Sequence, residues 1–215
     1  MIPLNKIPEP QILTNNKTKW TKEYLSALKK EIPMTNTIRN RYKRKEIKEA
    51  LIKETSGKCA YCESKLLHIS YGDIEHILPK SKYPELYVEW TNLTLSCELC
   101  NRNGKNDYYD KENPLLNPYI DNPYEHLLAY GPIMMNHNGS HKGDISIKIL
   151  NLNRTSLIEK RKERIENINL LVNKYHNETN PQIKKLLKSE LLKECEPDKE
   201  FSFFIKSYLK SEFES

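Results

Sequence analysis

The sequence has no long apolar run and only four Phe and two Trp, although it has 13 Tyr. No segment approaches the roughly 20 apolar residues that a membrane-spanning helix needs. The N-terminal stretch MIPLNKIPEPQILTNNK places Pro and Asn where a signal peptide needs an uninterrupted apolar segment. We therefore expect a cytoplasmic protein that does not contact a membrane. Because cytoplasmic thiols are reduced, paired cysteines in such a protein favour metal binding over disulfides.

The sequence also lacks the GxxxxGK[ST] loop with which many nucleotide-hydrolysing proteins hold phosphate. Lys and Arg number 35 and Asp and Glu number 29, which gives a formal net charge of +6. A mild basic excess permits nucleic-acid binding but does not require it, because many proteins of this charge bind no polyanion. The 215 residues suffice for one moderate core, or for a small domain surrounded by helices.

The first quarter of the chain predicts an extended start followed by helices. Residues 1–19 are punctuated by proline and are expected to form an extended arm, with a short amphipathic helix over 21–31. A second helix is expected over 38–54. Its polar face carries five basic residues, and two interpretations of them stay open: a solvated helix face, or a patch that contacts phosphates. These residues are Arg39, Arg41, Lys43, Arg44 and Lys45.

The middle of the chain loses this helical periodicity. Short β-like stretches surround Ile74 and Leu93. Further on, Asn122 is a natural helix cap and Pro123 suits the first helical position. Over 143–150, isoleucines alternate with polar residues, which predicts a half-buried strand.

The C-terminal part predicts helices. One begins at Thr155, with the stem of Arg161 along its apolar face, and two more are expected over 181–194 and 197–211. The last helix is strongly one-sided. Its apolar stripe favours packing into a core, and docking of a partner is the alternative interpretation.

Two pairs of cysteines share the spacing of a metal site. In each pair two residues separate the thiols, so that both can reach one ion from a tight turn. Two such pairs complete a tetrahedral sulfur site, which is closed to substrate and therefore structural. The sequence thus predicts structural zinc bound by Cys59, Cys62, Cys97 and Cys100.

Candidate catalytic residues lie between and after these pairs. The segment DIEHILPKS occupies 73–81, WTNLTLS occupies 90–96, and CELCNRNGK occupies 97–105. Together these segments resemble the HNH (ββα-metal) nucleases, whose pattern is an acid–His–Ile–x–Pro strand, an Asn-Leu strand end, and Cys-x-x-Cys-Asn entering a helix. The resemblance implies an α+β fold: a zinc-stapled, treble-clef-like HNH core within a mostly helical chain.

The chemistry of phosphodiester hydrolysis agrees with this resemblance. The reaction needs a base for water and a cation for the developing charge. A neutral imidazole serves as base near pH 7, which favours His76. Glu75 offers an oxygen ligand to Mg²⁺ or Mn²⁺ and the Asn101 amide offers a second, while Asp73 stays open as the alternative acidic ligand.

Two further residues take roles at the same site. Asn92 resembles the central Asn of the family, which implies that it holds the loop that carries the histidine. Lys105 follows Asn101 by about one helical turn and is expected to meet the phosphate. The remaining histidines are not preceded by an acidic residue and followed by Ile-x-Pro, as His76 is. Of these, only His137 and His141 form a pair worth testing as a metal site.

The resemblance extends beyond the nuclease motif. The segments NPLLNP, NPYEHL and LNLNR, within 113–154, are similar to the PtuB-type HNH proteins, effectors of Septu and some retron anti-phage systems. This similarity implies a companion ATPase of the PtuA type, an ABC/SMC-like protein, and DNA as the favoured substrate. RNA stays open as substrate, and a zinc-stapled nucleic-acid-binding module without catalysis is the alternative from another class.

We expect three regions along the chain. Residues 1–56 form an arm and helices, 57–112 form the HNH core, and 113–215 form a turn-rich extension with a short strand and helices. The arm and the last two helices lie outside the clear resemblance. By elimination, they are the candidates for docking a partner.

Overall fold

The computed structural model describes residues 1–66 and 72–214. Within this part of the chain, helices predominate and the strands form two separate antiparallel pairs. The expected mixture of helix and strand is confirmed. The helices are α1 (Gln11–Leu28), α2 (Asn36–Asn40), α3 (Lys45–Glu54), α4 (Glu98–Cys100), α5 (Pro123–His126), α6 (His141–Ile149), α7 (Thr155–Asn177), α8 (Pro181–Lys193) and α9 (Ser202–Glu214). The strands are β1 (Asp73–His76), β2 (Leu93–Ser96), β3 (Leu127–Tyr130) and β4 (Ile133–Asn136).

The chain divides into two compact units. The N-terminal unit comprises Leu4–Tyr61 and Lys65–Glu112, and the C-terminal unit comprises Met1–Pro3, Cys62–Ser64 and the chain from Asn113 onward. None of the described helices is both long enough and apolar enough to cross a membrane.

In the N-terminal unit, α1 begins earlier than expected. The prediction of an extended arm over 1–19 is wrong beyond Pro10, whose carbonyl accepts the first helical hydrogen bond from Leu13 N at 2.8 Å. The buried face of α1 consists of Leu13, Trp20, Tyr24 and Ala27. Because their separations correspond to about one or two helical turns, these side chains lie on the same side of the helix.

The single helix expected over 38–54 is also wrong, because the chain breaks in its middle. After α2 comes a 3₁₀ turn (Arg41–Lys43), and Arg44 is extended, with φ −58° and ψ 145°. A helix over 38–54 would place Ile38, Tyr42, Ile47, Ala50 and Leu51 in one apolar stripe; four of these are nevertheless buried, and Ala50 is half-buried. The break therefore changes where the basic residues lie without changing which residues form the core.

The β1–β2 hairpin confirms the strands expected around Ile74 and Leu93. Its register pairs His76 with Leu93 and Glu75 with Thr94. The loop between the strands is long and contains two 3₁₀ turns, Pro84–Leu86 and Trp90–Asn92. Because His76 ends β1 and Asn92 directly precedes β2, the hairpin brings the two ends of this loop together.

In the C-terminal unit, the half-buried strand expected over 143–150 is wrong. Residues 143–149 lie in helix α6 and Leu150 is its C-cap, so no strand forms here. Ser140 caps the helix by accepting a hydrogen bond from Gly143 N at 3.1 Å. Gly143 packs so closely against the preceding segment that a Cβ there would lie 2.2 Å from the His126 carbonyl oxygen. The cap and this close contact determine the conformation, and the alternation of isoleucines does not.

The other C-terminal helices agree better with the predictions from the sequence. Asn122 caps α5 with Pro123 at its start, as predicted, and α7 and α8 begin at the expected residues. The helix expected over 197–211 instead begins at Ser202, where the Glu63 carboxylate accepts hydrogen bonds from Ser202 Oγ at 2.9 Å and Phe203 N at 3.2 Å. A core cluster joins α7, α8 and α9 through Ile168, Val172, Leu191, Ile205 and Leu209.

Arg161 is the largest fully buried side chain in this unit. Its guanidinium donates to the Pro132 carbonyl at 3.2 Å and lies 4.1 Å from the centroid of the Phe204 ring. The position predicted for its stem, on the buried face of the helix, is therefore confirmed, and the charged end of the side chain is buried as well.

Candidate nuclease site

The four cysteines of the two pairs come together. Cys59, Cys62 and Cys100 are buried and Cys97 is half-buried, and the four sulfur atoms all lie within 4.8 Å of one another. Thiolates around one tetrahedral zinc ion would be about 3.8 Å apart, given Zn–S bonds of about 2.3 Å. The sulfur set therefore fits a metal ion. A hydrogen bond from Ala60 N to the Leu95 carbonyl, at 2.9 Å, attaches the first cysteine turn to β2.

His76 lies at the end of β1 with its ring held from both sides. Its Nε2 is 2.9 Å from the Tyr87 carbonyl oxygen, and the Tyr42 ring meets it edge-on at 4.7 Å between centroids. Because a carbonyl can only accept, Nε2 carries the proton and Nδ1 carries the lone pair. Among residues 1–66 and 72–214, no group hydrogen-bonds to Nδ1, so this nitrogen is available to a water molecule.

Burial also sets the charge of this imidazole. Desolvation by burial lowers the pKa of His76 from 6.5 to about 4, and the positive charges of Lys80 and Lys105 act in the same direction. His76 is therefore neutral at pH 7, as a general base must be. About 7% of the residue is exposed.

Asn92 holds the segment that follows His76. Its side-chain oxygen accepts a hydrogen bond from Leu78 N at 2.7 Å, and its Nδ2 donates to the Leu78 carbonyl at 3.0 Å. The backbone adds a hydrogen bond from Ile77 N to the Asn92 carbonyl at 2.9 Å. The orienting role of Asn92 stays a prediction, and these are the contacts that such a role needs.

Glu75 and Lys105 form a buried ion pair beneath the histidine. Lys105 Nζ lies 2.6 Å from Glu75 Oε1 and donates to the His76 carbonyl at 2.9 Å. Desolvation raises the pKa of Glu75, and the charge of Lys105 opposes that rise. Lys105 reaches this position because Asn101–Lys105 is a π-helical turn instead of a continuation of α4. The structure thus brings Lys105 to the site, with its ammonium on the candidate metal ligand.

Asp73 and Asn101 stand at a more open part of the same site. Asn101 Nδ2 lies 3.4 Å from one oxygen of Asp73, and Arg102 contacts the other at 2.8 Å. They border a cavity of about 310 Å³, lined by Tyr42, Lys43, Lys48, Gly72, Asp73, Ile74, Asn101 and Arg102. Two carboxylates and an amide therefore lie within one polar cluster. These are hard oxygen donors of the kind that Mg²⁺ and Mn²⁺ prefer.

Comparison with known proteins agrees with this geometry. The sequence model of the family described as HNH endonuclease matches residues 59–107. The Septu protein PtuB of Bacillus thuringiensis is 31% identical over 229 residues, which cover 97% of this chain and 82% of that protein. The chain belongs to the PtuB family. A second PtuB, from Bacillus mycoides (strain KBAB4), is 36% identical over 159 residues, covering 60% of this chain and 54% of that protein.

Part of the candidate site in this PtuB-family chain lies outside the HNH match. Tyr42 comes from the 3₁₀ turn after α2, contacts His76, and accepts a hydrogen bond from Lys80 Nζ at 2.9 Å. In the sequence, Tyr42 belongs only to an apolar stripe, and no pattern gives a role to Lys80 or to the Tyr87 carbonyl. The stripe indicates that Tyr42 is buried, but no local pattern indicates which side chain it covers.

The remaining described histidines have other surroundings. His137 Nδ1 lies 2.9 Å from the Tyr124 carbonyl oxygen, and His141 Nε2 lies 2.6 Å from Asn113 Oδ1. In the described part of the chain, the metal-binding group consists of the four cysteines and includes neither histidine. His68, which has no acidic residue directly before it in the sequence, lies outside the described residues.

Proposed function

We propose that this PtuB-family chain is a metal-dependent endonuclease that hydrolyses phosphodiester bonds of DNA, with His76 as the general base. The observation that carries the proposal is the state of His76. It is neutral, its Nε2 is fixed on the Tyr87 carbonyl, and no group of the described residues hydrogen-bonds to its Nδ1. The HNH match and the PtuB relatives support the same reaction class.

In this mechanism the chain's own residues prepare the base and the substrate. His76 Nδ1 accepts a proton from water as the oxygen attacks phosphorus, and Nε2 keeps its proton on the Tyr87 carbonyl. Asn92 holds the backbone on which the imidazole is carried. Lys105, close to both Glu75 and His76, contributes positive charge on the side where phosphate negative charge develops.

Two metal ions complete the proposal. Zinc in the four-cysteine group would serve as scaffold, because a closed sulfur site has no position for substrate. Glu75 and Asn101 would hold Mg²⁺ or Mn²⁺, with Asp73 as the alternative acidic ligand. That ion would stabilise charge on the phosphate and on the leaving oxygen.

The cellular role follows from the family. We propose that the chain is the effector of a Septu-type anti-phage system and acts together with a PtuA-type ATPase, in the cytoplasm. The relatives that carry the name Septu protein PtuB support this role. A partner of this kind would also supply the nucleotide hydrolysis for which the sequence lacks a phosphate loop.

The first test concerns the base. The variant His76→Ala should reduce DNA cleavage by roughly 10²- to 10⁴-fold, the usual contribution of general-base catalysis. Its zinc content should stay near that of the unaltered chain, while its melting temperature should fall because a buried side chain is removed, so cleavage is measured well below that temperature. His176→Ala on the exposed surface of α7 is the control. Cleavage by His76→Ala at the rate of the control would contradict the assignment.

A second test separates the two acidic candidates. Glu75→Ala and Asp73→Ala are compared in cleavage assays over a Mg²⁺ titration, and we expect Glu75→Ala to abolish the Mg²⁺ response. If only Asp73→Ala abolishes it, Asp73 is the ligand and Glu75 serves as the partner of Lys105. The two variants differ in their effect on buried charge, because only Glu75→Ala removes the ion-pair partner of the buried Lys105 ammonium.

Supplying DNA and RNA pools, each with and without the ATPase, tests the substrate and the partner. Cleavage of DNA supports the proposal, while cleavage of RNA alone would identify RNA as the substrate. Binding of nucleic acid without cleavage in any arm would indicate a zinc-stapled binding module instead.

A further inference from the structure

Lys43 and Lys48 line the cavity at the candidate centre, and Arg44 follows Lys43 in the chain. We call these three residues the basic wall. They lie outside residues 59–107, which match the HNH family. Their charges could face a ligand or only solvent, and the contacts around them distinguish these two cases.

Hydrogen bonds and a ring contact hold the segment of the basic wall next to the candidate centre. Lys48 Nζ donates to the Gly72 carbonyl at 2.6 Å, immediately before Asp73. Tyr42, directly before Lys43, contacts His76 with its ring and Lys80 with its hydroxyl. These contacts connect α3 and the turn before it to both ends of β1, so the basic wall occupies a defined place beside the site.

The charges of the basic wall are not neutralised by carboxylates. In the described ranges 1–66 and 72–214, no carboxylate lies within 4.0 Å of Lys43 or Arg44, although Arg41 pairs with Glu23 and Lys45 is 3.7 Å from Glu49. Lys43 and Arg44 are both exposed. On the far side of the cavity, Arg102 adds a further cation over Asp73.

A polyanion fits this arrangement better than solvent alone does. The cavity lining holds three cations, Lys43, Lys48 and Arg102, against one carboxylate, Asp73. Of the cations in this lining, Lys43 is exposed and, like the adjacent Arg44, has no carboxylate within 4.0 Å among the described residues; such unneutralised cations beside a polar cavity favour phosphate binding. The break at Arg44 favours the same interpretation, because a continuous helix would distribute the same residues around its axis.

We propose that the basic wall binds the sugar-phosphate backbone of the nucleic acid next to the scissile bond, through Lys43 and Arg44. This proposal rests on the nuclease function proposed above, and it adds the path that the substrate takes over the surface. Such contacts are made to phosphate oxygens, so they position the strand without reading its sequence.

Binding measurements test the proposal. The full-length chain with His76→Ala, which prevents cleavage, is titrated against a short fluorescein-labelled DNA duplex and an RNA duplex of the same sequence, over about 0.05 to 0.3 M salt. The variants are Lys43→Gln, Arg44→Gln and the pair together. The matched control is Lys53→Gln, which removes one exposed charge near the other end of α3. Lys43→Arg keeps the charge and should bind as the parent does.

Removing one of the two side chains should lower the slope of log affinity against log salt by about 0.9 and weaken binding roughly eightfold at 0.1 M salt. The effect should be similar for DNA and RNA, because both carry the phosphates. Lys53→Gln should leave both quantities unchanged. Equal melting temperatures of the variants would assign the weaker binding to the missing charges and not to unfolding.

Three outcomes would overturn the proposal: no binding by the parent at the lowest salt, equal binding by the double variant and the Lys53→Gln control, or weaker binding confined to one of the two duplexes. The proposed nuclease function fails on a different result. In that case the chain with His76 intact cleaves neither DNA nor RNA in Mg²⁺, with or without the ATPase, while binding still depends on Lys43 and Arg44.

Discussion

Two backbone carbonyls orient the polar side chains at the candidate centre. The Tyr87 carbonyl receives the Nε2 proton of His76, and the His76 carbonyl receives a hydrogen bond from Lys105. The first of these contacts determines the tautomer of the imidazole, and therefore which nitrogen can act as base. Any residue offers a carbonyl, so the identity of these two partners depends on loop geometry alone.

The protonation of His76 can be measured directly. In the zinc-loaded chain without Mg²⁺ or Mn²⁺, NMR should show His76 neutral down to about pH 4, because burial lowers the pKa of the imidazole to about that value. The base is therefore available above that pH and becomes protonated as the pH falls through it. Lys80→Gln should move the midpoint upward, since the charge of Lys80 also lowers the pKa of His76.

Assignment comes from the resonance that disappears in His76→Ala. A midpoint near 6.5, the ordinary value for histidine, would show that the imidazole is solvated and would contradict the buried geometry.

At the scale of elements, α6 depends on the absence of a side chain at one position. Gly143 lies in the first turn, and a Cβ there would lie 2.2 Å from the His126 carbonyl oxygen. Ser146, on the same side of α6, accepts a hydrogen bond from Leu116 N at 2.8 Å and donates to the Lys142 carbonyl at 2.8 Å. The helix is thus held by close backbone approach and by a buried hydroxyl.

The substitution Gly143→Ala should therefore destabilise the protein, by about 1 to 3 kcal/mol. In a solvent-exposed helix the same change would stabilise it by up to about 1 kcal/mol, because alanine favours helix over glycine. Chemical denaturation measures the difference, with Lys148→Ala on the exposed side of α6 as the control. Unchanged or increased stability of Gly143→Ala would mean that α6 does not pack against His126.

At the scale of the whole molecule, the four-cysteine group connects distant parts of the chain. The two cysteine pairs are separated in the sequence by β1, the long loop and β2, and so by His76 and Asn92. A metal ion held by both pairs closes this segment into a loop. Apparent binding free energies of structural zinc are on the order of 10 kcal/mol, comparable to the whole stability of a small domain.

We therefore expect Cys59→Ser or Cys100→Ser to abolish zinc binding, lower the melting temperature and abolish cleavage together. Cys195→Ser is the matched control, because the half-buried Cys195 packs against the core cluster of the C-terminal unit and is not in the four-cysteine group. Elemental analysis and thermal melting by circular dichroism provide the measurements. A Cys59→Ser chain that contains no zinc and melts normally would rule out a structural role for the ion.

Elements that depend on short-range signals were predictable from the sequence. The cysteine spacing indicated the sulfur group, Asn122 and Pro123 indicated the start of α5, and β-like residues around Ile74 and Leu93 indicated the two strands β1 and β2. Each of these signals acts within a few residues, through caps, turns or alternation, so the sequence contains it in full.

Tertiary structure decided the conformation of residues 143–150 and the contacts among the candidate site residues. The alternation over 143–150 suggested a strand, but packing of Gly143 against His126 favours a helix. The sequence by itself placed His76, Glu75, Asn101 and Lys105 within residues 59–107, which match the HNH family. Only the folded chain placed the Lys105 ammonium on Glu75 and the Tyr42 ring on His76. Those partners are about 30 residues apart in the chain, and contacts over such separations arise from packing, which no local pattern encodes.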